Sequence, residues 1–212
     1  MIPNFTQEDI NNWIASWFAA GITQGSITTR DAERFFMEMM VAKQANNDII
    51  TITCNEMARP SDTTAYAAYD VIMNTTTPGS QQLIEIPNIA RTAGGGFLIT
   101  GITVSTDLKN ILPDLRVKLY NASNPTIPVD NAPSTTIYAN NSKFLGYVDL
   151  DTMISGTDTT NSTSSFAQKQ GNILSGVCAE GQTSLWCYLV TKTAFTPASG
   201  QKFQVKVTAR RS

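Results

Sequence analysis

Asp149 and Asp151 are the residues whose types and spacing come nearest to a reactive pair. Two positions apart on a strand, their carboxylates would share one side. There they could bind calcium, or act as an acid and a base on a sugar. No third acid stands beside them, so a solvated strand end is the simpler reading. The aromatic residues Tyr120, Tyr138, Tyr147, Trp186 and Tyr188 lie in the same half of the chain and could stack on sugar faces. Trp186 and Tyr188 would share one face of a strand, and that face can be core or surface.

Other chemistry is excluded more firmly. The sequence contains no histidine, which removes His-dependent triads, Cys-His dyads and imidazole metal ligands. A Ser-Lys dyad stays open, although nothing points to one. The three cysteines, Cys54, Cys178 and Cys187, lack the close paired spacing of a thiolate zinc site. Their odd number is not a disulfide framework. They read as small apolar residues with free thiols, and a Cys178–Cys187 bridge between neighbouring strands is the alternative. Gly94-Gly95-Gly96 has no Lys-Ser/Thr after it and opens a strand, so it reads as a turn and not a phosphate loop. Asn4, Asn74, Asn121, Asn140 and Asn161 each begin an Asn-x-Ser/Thr triplet. In a chain rich in Asn and Thr such triplets arise by chance. The expectation is a protein that is not an enzyme, with no cofactor and no metal.

Composition narrows the partners. Charged residues are 15% of the 212, and the net charge is −2. No basic footprint for nucleic acid is present. No apolar run reaches the length of a membrane span. Met1 to Asp9 has no positive charge ahead of an apolar stretch, so synthesis in the cytoplasm is expected.

The elements that must position these residues fall into three stretches. Residues 1–47 read as a helical hairpin. Thr6 to Asp9 is a capping signal, with Phe5 and Ile10 placed for a hydrophobic staple. Ile10, Trp13, Ile14, Trp17 and Phe18 form one apolar stripe, and Ala32, Phe35, Phe36, Met39 and Met40 a second. Two helices have little interior for so large an aromatic load. Trp13, Trp17, Phe18, Phe35 and Phe36 are therefore the candidate interface residues, for oligomerisation or attachment. Residues 48–82 read as a linker with one or two short strands. Residues 83–212 read as a β-sandwich domain. Leu115, Val117 and Leu119 alternate with Arg116, Lys118 and Tyr120, and Phe203, Val205 and Val207 alternate with Gln204, Lys206 and Thr208. The fold class is mainly β: an antiparallel sandwich of jelly-roll type, about eight strands, with an N-terminal two-helix hairpin. Two long loops interrupt it, Asn121 to Asn141 and Ser155 to Gln170. They read either as contact loops or as solvated crossovers.

Three motifs in this order complete the reading: Leu119-Tyr120-Asn121-Ala122-Ser123-Asn124-Pro125-Thr126, Leu145-Gly146-Tyr147-Val148-Asp149-Leu150, and Phe195 to Phe203. Over residues 83 to 209 the chain resembles structural proteins of tailed-bacteriophage virions, encoded near capsid genes. The resemblance implies a virion component made in the host bacterial cytoplasm. A sandwich with a helical arm suits a capsid decoration or cement protein on the outer capsid surface. Its partners would be the major capsid protein and copies of itself, with a homotrimer expected. A head-fibre, tail or baseplate component is the alternative within the particle. A carbohydrate-binding adhesion module, with a surface glycan as partner, is the alternative of another class.

Overall fold

Alternating residues over 83–212 do form strands, and the short strands expected within 48–82 pair into the same sheets. The computed structural model describes residues 49–111, 113–135, 138–155 and 164–211, with Ala15 and Met37 besides. The chain divides into two units, Met1–Asp48 and Ile49–Ser212. The helical hairpin expected over 1–47 lies outside the described residues.

In chain order the strands are β1 (Ile49–Thr53), β2 (Met57–Ala58), β3 (Val71–Ile72), β4 (Ile84–Ile86), β5 (Gly96–Thr106), β6 (Leu115–Tyr120), β7 (Phe144–Asp149), β8 (Ile154–Ser155), β9 (Ser165–Val177), β10 (Leu185–Thr191) and β11 (Lys202–Arg211). One 3-10 turn, Tyr138–Asn140, precedes β7. Two antiparallel sheets result. The first runs β1-β11-β5-β9-β8, with β2 also on β11; the second runs β3-β10-β6-β7, with β4 also on β10. The pairings are nested: β1 with β11, β3 and β4 with β10, β5 with β9, and β6 with β7. Residues 49–82 thus supply three strands to the two sheets, where the sequence reading has a linker with one or two short strands.

The core lies between the sheets. Phe203, Val205, Val207 and Ala209 of β11 are all 0% exposed, and Leu115, Val117 and Leu119 of β6 are the same. Burying each larger side chain contributes roughly 1.5–3 kcal/mol. A one-residue slip of β11 would turn all of them outward, so the alternation fixes register. Residues 165 to 170, expected in the second long loop, instead open β9. They pair with β5 as far as Gln170↔Gly101.

β10 is buried on both faces. Its register with β6 puts Cys187 and Leu189 on the intersheet side, opposite Leu119 and Val117. Trp186, Tyr188 and Val190 therefore point away from the core, yet they too are buried. The loop from Asn121 to Asn141 leaves β6, reaches β3 and returns to β7. Its two ends meet where Asn121 N donates to Lys143 O at 2.9 Å. Its tip lies along β3, with Val71 N donating to Ala132 O and Asn131 N to Val71 O, both at 2.9 Å. Reaching β3 from the β6–β7 side takes the loop across β10. Asn140 ties the strands of the loop together, accepting from Thr126 N at 3.0 Å and donating to Thr126 O at 2.6 Å.

A buried ion pair pins the loop. The Arg59 and Asp130 side chains are 0% and 1% exposed and approach to 3.3 Å. Arg59 Nε donates to Tyr66 Oη at 2.8 Å, and Tyr66 Oη donates to Asp130 Oδ1 at 2.6 Å. Met73 N donates to the same carboxylate at 2.8 Å. The rest of the guanidinium donates to the carbonyl oxygens of Asp62 and Ala198 and to Asp62 Oδ1. Phe195 stacks on Tyr66 at 4.9 Å between ring centroids. One arginine thereby joins four separate stretches of chain.

Candidate functional site

Two exposed regions flank the second sheet: one around Arg116 and Asp149, the other between β2 and β4. The two differ in chemistry.

At one end, Arg116 of β6 lies opposite Asp149 of β7. Its Nε and Nη2 donate to Asp149 Oδ1 and Oδ2 at 2.7 and 3.0 Å. This two-point geometry holds the guanidinium plane. Lys192, just past β10, comes within 3.5 Å of the same carboxylate. The hydrogen bonds from Arg116 hold the Asp149 carboxyl below the usual carboxylate range, and its charge and that of Lys192 add to the effect. The guanidinium carbon sits 3.9 Å from the Tyr147 ring centroid and 5.9 Å from that of Tyr69. Tyr69 and Tyr147 are 53% and 54% exposed. Tyr69 adopts φ 70°, a conformation that costs a bulky L-residue free energy. Its backbone is held there by bonds from Tyr69 N to Thr191 O and from Ser134 N to Tyr69 O. The result is a fixed, exposed aromatic patch in which two cations face one carboxylate.

At the other end, a cleft of about 660 Å³ opens between β2 of the first sheet and β4 of the second. Its wall contains Trp186, Met57 and Leu83 among polar side chains that include Asn55, Gln82, Glu85 and Ser123. Two further amides brace it. Asn74 Oδ1 accepts from Gln82 N at 2.8 Å. Gln81 is bonded at both ends of its amide, accepting from Gly79 N at 2.7 Å and donating to Ile127 O at 3.1 Å.

The residues singled out in sequence are distributed as follows. Asp149 and Asp151 do not act together: Asp149 is taken by Arg116, and Asp151 accepts from Lys169 Nζ of β9 at 3.0 Å. Among the described residues, no cluster of three acids or thiols could hold a metal ion. Cys54, Cys178 and Cys187 are free and buried, so the Cys178–Cys187 bridge does not form. Burial pushes the Cys54 thiol up to about 12, with Glu85 adding, and Cys187 well above its ordinary value. Neither is a thiolate at neutral pH. Tyr120 and Tyr188 are buried and stack at 5.8 Å, whereas Tyr138 is 87% exposed. No helix among the described residues is long and apolar enough to cross a membrane. Trp13, Trp17, Phe18, Phe35 and Phe36 lie outside the described residues. Sequence reasoning misses Tyr69 and the cleft. The one available signal was Arg116, visible as the wet face of an alternating strand.

No protein-family model matches this chain, and no curated protein matches it. Among solved structures it is similar to the capsid asymmetric unit of cyanophage Pam1, at 15% identity and TM-score 0.31, over 77% of this chain and 85% of that one. It is similar also to the K3 cleaved adhesin domain of Lys-gingipain from Porphyromonas gingivalis W83, at 14% identity and TM-score 0.29, over 74% and 73%. A third is the C-terminal CBM6 of LamC from Zobellia galactanivorans, at 9% identity and TM-score 0.26, over 76% and 99%. Likenesses of this size assign no function.

Proposed function

We propose that the chain is a structural protein of a virus particle, a decoration or cement protein of the outer capsid surface without enzymatic activity. The observation that carries this reading is the nested pairing β1:β11, β3 and β4:β10, β5:β9 and β6:β7. It is the strand order of an eight-stranded jelly roll, an architecture recurrent in capsid and lectin domains. The motif resemblance over residues 83 to 209 supports a tailed-bacteriophage particle.

In this role the sandwich forms the outer knob, and the arm carrying Trp13, Trp17, Phe18, Phe35 and Phe36 joins sister subunits or the major capsid protein. A stable contact buries about 1,600 Å² in total, and repetition over a lattice multiplies the effect by avidity. A chain with only 15% charged residues makes such contacts less sensitive to salt than an ion-pair interface would be. A homotrimer is the expected assembly.

Immunogold labelling of purified parent particles with an antibody to this protein tests the reading. Dense, regular label over the head is the expected result. Label confined to the tail moves the protein to a tail or baseplate role, and absence of label from the particle surface overturns the proposal.

A further inference from the structure

The cleft between β2 and β4 has the groups of a ligand site set in a hydrogen-bonded frame. Asn55, Gln82, Glu85 and Ser123 are exposed side chains in its wall. None of the four makes a side-chain hydrogen bond among the described residues, so their donors and acceptors face solvent. Asn74 and Gln81, by contrast, are spent on the backbone of the wall itself. Committed amides hold the frame, and uncommitted ones line the space. The frame is thus fixed, while the lining side chains are ordered only when a ligand takes their hydrogen bonds.

The chemistry of the lining selects the ligand. Amide and carboxylate groups are planar and can make two hydrogen bonds each, a geometry that matches adjacent hydroxyls on a ring. Half-buried Leu83, backed by the buried Trp186 and Met57, supplies apolar surface for the C–H faces between those hydroxyls. Glu56 and Glu85 both line the cleft, and no Lys or Arg does. Glu56 is neutralised from outside by Lys202 at 2.8 Å, leaving Glu85 to repel anions. The volume lies within the range of small-ligand sites.

We propose that this cleft binds a neutral saccharide, with Gln82, Glu85, Asn55 and Ser123 taking its hydroxyls and Leu83 walling the apolar side. The proposal is independent of where the protein sits in a particle.

The test is an array of neutral oligosaccharides (gluco-, manno-, galacto- and xylo-hexaoses), followed by calorimetric titration of the full chain with each hit. Heparin and alginate serve as anionic probes. At least one neutral oligosaccharide should bind. The double variant Gln82→Ala/Glu85→Ala should weaken it about tenfold or more, with an unchanged melting temperature because both side chains are exposed. Tyr147→Ala, at the opposite end of the sheet, should bind as the parent does. Silence of the whole array at millimolar sugar overturns the proposal. So does binding that survives Gln82→Ala/Glu85→Ala, binding lost in Tyr147→Ala, or a preference for heparin or alginate.

Discussion

Arginine, aspartate and tyrosine meet twice in this molecule. In the first cluster, Arg59, Asp130 and Tyr66 are all buried, and the guanidinium is surrounded by acceptors from residues 62, 66, 130 and 198. In the second, Arg116, Asp149 and Tyr147 lie half in water, and the tyrosine ring presents itself outward. The same three side chains give a pin in one place and a surface in the other. Burial makes the difference. A buried charge must have its partners, so it specifies which segments come together. An exposed pair gains little from its partner and leaves the ring available for contact.

Removing the arginine should separate the two clusters most clearly. Arg59→Ala leaves Asp130 buried with its charge uncompensated and should cost about 3–5 kcal/mol in urea denaturation. A loss below about 1 kcal/mol would mean that the first cluster is no more a pin than the second. Asp130→Asn keeps the shape of the side chain and leaves Arg59 its bonds to Asp62, so a smaller loss is expected, about 1–3 kcal/mol. Arg116→Ala should cost no more than about 1 kcal/mol and should raise the accessibility of Tyr147, read by chemical modification of its phenol.

Acid sharpens the contrast through a difference of sign. Hydrogen bonds from Arg116 hold Asp149 below the usual carboxylate range. Its contribution to stability is therefore complete above the ordinary carboxylate pKa and is lost as pH falls through the folded value. Burial pushes Asp130 above that range, against the pull of Tyr66, Met73 N and Arg59. The folded chain binds that proton more tightly than the unfolded chain does. Titration of Asp130 therefore favours the fold at low pH, and the gain fades as pH rises through the folded value. Urea midpoints measured between about pH 3 and 7 should fall less steeply into acid for Asp149→Asn than for the parent, and more steeply for Asp130→Asn.

The same contrast governs what could be read from sequence. β6 and β11 were legible because each has one dry face and one wet face, which writes a period of two into the residues. β10 is dry on both faces, so Leu185 to Thr191 shows strand character without saying which side is core. β2 is two residues long, too short for any period, and only its partner β11 identifies it. Asp149 and Tyr147 stood out as candidates, but their partnership with Arg116 requires the β6–β7 register. Tyr69 arrives by a backbone turn with positive φ, and the cleft draws on five separate stretches of chain. Neither leaves a local mark in the sequence.

The nested pairing also sets the order in which the protein can be made. β11 follows the other ten strands of the described residues in chain order, yet it lies inside its sheet between β1 and β5. Thr51 and Thr208, which pair across β1 and β11, are separated by 157 residues. Contacts of such long range slow folding, because the loop must close before the pairing rewards it. Until Lys202 to Arg211 emerge, the exposed edges of β1 and β5 have no proper partner and invite other chains. Completion of the first sheet thus waits for Lys202–Arg211, and a chain cut short before β11 cannot close it.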